Sequence, residues 1–179
     1  MGFLASIALP TMRSADAQTP ALRVELRNDA RVAGDGLDLA RPYVEEIYAR
    51  AGVRIVWVPD ESQVTVVLKR RPSDDLMHRL QDAMGLTPGG DTERGRLAFV
   101  FINRVNAIAS GYGAARFVVL GAAIAHELGH LLLSKEHTTS GIMQRYLNQA
   151  DFRALREGRL LFTEIQAEML REGVIARSR

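Results

Sequence analysis

The chain has 179 residues and a mass of 19.8 kDa, one domain's worth. Hydrophobic residues are 47% and charged residues 25%, ordinary globular usage that excludes wholesale disorder. The absence of cysteine excludes disulfides, thiolate metal sites and a cysteine nucleophile, and 23 Lys+Arg against 21 Asp+Glu leave a net charge of only +2, with basic residues scattered outside Lys69-Arg70-Arg71, so no nucleic-acid partner is expected.

Residues 2–10 (GFLASIALP) are apolar and Ala15-Asp16-Ala17 follows. This predicts a signal peptide over 1–17 and a secreted or periplasmic protein, although no Lys or Arg precedes the apolar run. A single catalytic domain is then expected over 18–179. Residues 22–27 alternate apolar and charged, the period of a half-buried strand. Asp38 can cap a helix over 39–51, with Pro42 in its first turn. Val44, Ile47, Tyr48 and Ala51 share one face of it, and Gly52 ends it. The β-branched runs 53–58 and 64–68 predict two strands separated by Pro59-Asp60-Glu61-Ser62. A helix is expected from Ser73 to about Met84, then a loop over 86–95. Residues 97–102 (LAFVFI) predict a central strand buried on both faces.

Residues 117–133 predict a helix without a polar face, hence a central one. It is too short to span a bilayer comfortably, and no stable membrane insertion is expected. Residues 138–141 form a turn, Asn148 caps a short helix ending at Gly158, and Thr163 with Gln166 makes a capping box for a helix to about Arg171. The order predicts an α+β fold: a mixed, twisted sheet, a central helix and a small helical C-terminal half, and a monomer is expected.

Chemistry concentrates in His126-Glu127-Leu128-Gly129-His130. Random placement would give such an H-E-x-x-H about once in two hundred chains of this composition. Positions i and i+4 share a helix face, so both imidazoles can reach one metal ion. Glu127 lies about 100° round the helix and can approach a water beside the metal without ligating it. Catalytic Zn²⁺ takes three protein ligands and keeps one position open. The next histidine is His137. Burying such a cluster with no metal would cost several kcal/mol. His78 stands apart and reads as an ordinary side chain.

The segment HELGHLLLSKEH, followed by Ser140-Gly141-Ile142-Met143, resembles the zincin metallopeptidases, and among them the metzincins. Those have H-E-x-x-H-x-x-G-x-x-H and a methionine turn beneath the metal. The resemblance implies a zincin-like fold and peptide-bond hydrolysis of a peptide or protein substrate. It implies Zn²⁺ on His126, His130 and His137, Glu127 as general base, and Met143 in the turn. It also places the substrate along an edge strand in 91–96, with Gly111-Tyr112-Gly113 as another candidate cleft wall.

Two departures stand out. Leu133 occupies the position of the family's glycine, and six residues instead of five separate His130 from the third histidine. In strict register the third ligand would be Glu136, and a carboxylate can bind zinc. His137 is preferred because Met143 follows it after a short turn and imidazole suits Zn²⁺. A glutamate from a later helix, Glu157 or Glu164, is a third option. Tyr146 sits one residue off the position of a tyrosine found in some metzincins and reads as a surface or core residue. The alternative function is a zinc-binding structural or interaction domain without turnover.

Overall fold

The computed structural model describes residues 19–77, 83–88, 95–133 and 136–178. The expected signal peptide over 1–17, residues 78–82 of the helix predicted from Ser73 (His78 among them) and 91–94 of the predicted substrate edge lie outside the described residues, while Ala83 and Met84, the expected end of that helix, are described and are not helical.

The order is β1 (Ala21–Arg27), α1 (Gly34–Arg50), β2 (Arg54–Trp57), β3 (Val64–Lys69), α2 (Asp74–Met77), β4 (Gly85–Leu86), β5 (Leu97–Phe101), α3 (Ile102–Gly111), α4 (Arg116–Leu132), α5 (Gln149–Arg156) and α6 (Glu164–Arg177). The fold is α+β, as the sequence predicts. The strands form one mixed sheet in the order β2-β1-β3-β5-β4. The first three pairings are parallel, with Val24 opposite Trp57, Leu26 opposite Val66, and Val66 opposite Ala98. β4 runs antiparallel at one edge, with Gly85 opposite Val100.

Side-chain alternation puts Leu22 and Val24, Val64, Val66 and Leu68, and Ala98 and Val100 into the main core. α4 packs on β3, β4 and β5 and against α1, α3, α5 and α6. Its sequence has no polar face because nearly every side is covered; Val118 to Ala125 are all buried. No helix among the described residues is long and apolar enough to cross a membrane.

Several expectations need correction. α1 starts at Gly34, not Leu39, so Asp38 lies inside it and caps nothing. The Asn28 side chain closes the preceding loop, donating to Val32 O and accepting from Val32 N at 2.8 Å each, and so sets the earlier start. Pro42 is mid-helix on the solvent side, where water can serve the carbonyl left without its usual N–H. β5 is neither central nor fully buried: β3 takes the centre, and Leu97 and Phe99 are partly open to solvent. The loop expected over 86–95 begins with the short strand β4, and α3, with Val105 and Ala109 buried one turn apart, was not anticipated. α6 continues six residues past Arg171.

α1 and α4 come unusually close at Gly121. A Cβ there would lie 2.7 Å from Tyr43 Cβ and 3.0 Å from Ala40 O. One turn further, the buried Tyr48 hydroxyl donates to Ala125 O at 3.2 Å, immediately before His126. Substituting Gly121→Ala forces these helices apart and is expected to destabilise the fold by about 1–3 kcal/mol. The check is urea unfolding, with a lowered midpoint at unchanged slope.

Candidate metal centre

The helix period brings His126 and His130 to one side of α4, and His137 lies beside them. Nε2 of His130 is 3.0 Å from Nε2 of His126 and 3.3 Å from Nε2 of His137. Nitrogens bound to one tetrahedral zinc at about 2.0–2.1 Å would stand about 3.3 Å apart, so the spacing fits a metal ion. The three residues could hold such an ion; which metal is not fixed by the geometry. His126 Nδ1 lies 2.8 Å from Ile142 O. A carbonyl can only accept, so Nδ1 carries the proton and Nε2 presents its lone pair to the cluster. Burial pushes the His126 pKa down to about 4, which keeps the ring neutral near pH 7. His137 is lowered too, by burial and then by the charge of Arg145.

The backbone explains how Leu133 can replace a turning glycine. Leu133 leaves α4 in an extended conformation, φ −101°, which any residue adopts. The left-handed turn comes later, at Gly141, φ +76°, where a Cβ would also meet Leu161 O at 2.7 Å. Ile142 N donates to Leu161 O at 2.9 Å, and Thr138 N donates to Met143 O at 3.1 Å. Buried Gln166 works in two directions. Its Oε1 accepts from Thr163 N, closing the predicted capping box, and its Nε2 donates to Thr138 Oγ1 at 3.2 Å. The start of α6 therefore steadies the residue next to His137.

Met143 is fully buried against α4. A Cβ on Gly129 would lie 2.5 Å from its Sδ and 3.1 Å from Phe162 Cε1. The glycine inside the pentad is what lets the turn approach the helix so closely.

Glu127 is the buried acid of the site. Thr87 Oγ1 donates to its Oε2 at 2.8 Å, and a Cβ on Gly85 would come within 2.5 Å of its Cγ and Cδ. Burial pushes its pKa up to about 7 against the lowering effect of the Thr87 hydroxyl. His126, Glu127, His130 and His137 share a cleft of about 780 Å³ with Thr87, Tyr112 and Arg145, among others.

Glu136 is exposed and does not join the grouped ligand atoms. Glu157 pairs with Arg159, and Glu164 sits exposed in the first turn of α6. Tyr146 is 68% exposed at the cleft rim, beneath the Arg145 guanidinium. Of the predicted cleft wall Gly111-Tyr112-Gly113, Tyr112 lines the cleft, stacked on Phe152 at 4.0 Å between ring centres. The antiparallel edge strand is β4, upstream of the 91–96 segment expected to supply it. Gly85, Thr87 and Arg145 escaped the sequence reading, since none lies in a motif and only the fold brings them to the cleft.

No protein-family model matches the chain, and no curated protein matches it.

The raised pKa of Glu127 has a definite sign in stability. Below about pH 4.5 the group is neutral folded or unfolded, and its burial costs nothing electrostatically. Between there and about pH 7 the unfolded chain loses the proton first, so stability falls as pH rises. After chelation of metal, Glu127→Gln is expected to gain on the unsubstituted protein by on the order of 2 kcal/mol from pH 5 to pH 8. Paired denaturation curves at the two pH values measure this; a constant difference would contradict it.

Proposed function

We propose that this chain is a zinc-dependent peptidase of zincin-like, metzincin-type fold. The observation that carries the reading is the convergence of three imidazoles beside a buried carboxylate in an open cleft. His126, His130 and His137 would hold the ion, and Met143 packs beneath their helix. Bound there, zinc supplies Lewis acidity towards a carbonyl and makes water easier to deprotonate.

Glu127 Oε1 or Oε2 takes a proton from the attacking water and returns it to the departing amine. A peptide substrate lies extended against the outer edge of β4, whose inner edge is already paired with β5. That placement runs it past Thr87 and Glu127. Support comes also from the glycine at 129, whose contact with Met143 fits a methionine turn under the site. The expected export to the periplasm or outside the cell belongs to the same proposal.

Two substitutions test it. Glu127→Ala is expected to keep its zinc and lose at least about a hundredfold in peptide cleavage, the usual scale for a general base. Zinc content by atomic emission and kcat/KM on a peptide library read the two properties separately. Unchanged cleavage would end the general-base assignment, and cleavage absent from the unsubstituted zinc protein would favour a structural metal domain. His137→Ala is expected to weaken zinc binding sharply, seen in competition with a chromogenic chelator; a Glu136→Ala change is expected to leave it intact.

A further inference from the structure

Among the described residues, the charged side chains lining the cleft besides the three histidines are Glu127 and Arg145. Glu127 is buried and engaged by Thr87. Arg145 is exposed at the rim, and no ion pair among the described residues includes it. Its guanidinium lies 5.9 Å from the Tyr146 ring centre, a cation–π contact that leaves the planar fork available to a carboxylate. It is near enough for its charge to be felt at His137. The adjoining Gln144 is occupied instead, donating to Gly141 O and to Asp151 Oδ1. Arg145 is thus a rim cation with no ion-pair partner among the described residues, beside the imidazole cluster.

We propose that Arg145 is a specificity-determining residue that binds a carboxylate of the peptide substrate close to the bond that is cut. The inference rests on the peptidase reading and adds the substrate class to it. A bidentate guanidinium–carboxylate pair recognises that group by shape as well as charge. A cationic side chain at the same substrate position meets Arg145 and the metal charge together and is repelled. The carboxylate can be an Asp or Glu side chain or the C-terminus of a peptide; the chemistry is shared, and the two sources are separable by experiment.

The test uses the zinc-loaded full chain carrying Glu127→Gln, so that binding is read without turnover. Fluorescence polarisation is measured with labelled peptides of one sequence: neutral and C-terminally amidated, amidated with an internal Glu, amidated with an internal Lys, and neutral with a free C-terminal carboxylate. A carboxylate peptide is expected to bind about tenfold tighter than the neutral one, the lysine peptide more weakly, with the difference shrinking in high salt. Tight binding of the internal-Glu series identifies a side-chain carboxylate, and tight binding confined to the free terminus identifies an end-directed enzyme. Arg145→Gln is expected to erase the preference, and Arg145→Glu to reverse it in favour of lysine. Arg145→Lys keeps the charge without the fork and is expected to fall between. Circular dichroism and zinc content verify that each variant is folded and loaded. Equal binding of all peptides, or a preference that survives Arg145→Gln, overturns the inference while Glu127-dependent cleavage by the unsubstituted enzyme leaves the peptidase reading intact. Absence of both binding and cleavage in a zinc-loaded protein overturns the two together.

Discussion

The bond from His126 Nδ1 to Ile142 O joins the two pieces of chain that make the candidate metal centre. One piece is helix, rigid and central; the other is a turn with little structure of its own. The bond fixes the tautomer of His126, so that its free lone pair faces the other rings. It also anchors the turn, and the neighbouring residue Met143 presses its sulfur onto Gly129 at the next turn of α4. A net hydrogen bond contributes about 1 kcal/mol and a buried methionine about 1.5–3 kcal/mol. Neither is large, yet both act on the same short segment, and Thr138 is tied down from the other side by Gln166. His137 is exposed. Its position follows from these neighbours.

Close approach is the second constraint. α4 carries Gly121 and Gly129 eight positions apart, each against a different partner: α1 at the first, the methionine turn at the second. A glycine within a helix costs about 1 kcal/mol relative to alanine. Both sit where a Cβ would collide with a neighbour, so that cost is offset by packing an alanine could not allow. Gly85 works similarly from the sheet, leaving room for the Glu127 side chain against β4. Among the described residues the acid is consequently enclosed by the β4 backbone and Thr87.

What the sequence made legible follows from how local each signal is. The i, i+4 histidines, the Asn148 cap, the Thr163–Gln166 capping box and the buried stripe of α1 depend on residues within a turn or two of one another, and all are found in the structure. The start of α1 was missed because the decisive bonds come from Asn28, outside the helical pattern. β4 has only two residues, too few for alternation to show, and it exists because β5 pairs with it. The choice of His137 over Glu136 was open in sequence, since a one-residue change in spacing alters which side chain points inward. Extended geometry at Leu133 and the anchoring of Thr138 decide that His137 joins the cluster. Arg145 and Thr87 carry no local signal, since they reach the cleft from separate segments of the chain.

The environment of Glu127 balances two opposing influences. A carboxylate wholly enclosed by apolar groups holds its proton too tightly to act as a base at neutral pH. One fully in water ionises near pH 4.5 and returns a proton reluctantly. Without metal, burial is the larger influence and the Thr87 hydroxyl the smaller, opposing one, and the pKa stands at about 7; a cation held by the neighbouring histidines would pull it down. The same hydroxyl lies 3.2 Å from Glu127 O, so it ties the side chain and the helix backbone to the segment following β4. Edge strand and central helix thereby fix the acid's position together, and the placement of β4 controls both the acid's basicity and the line along which an extended chain could approach it.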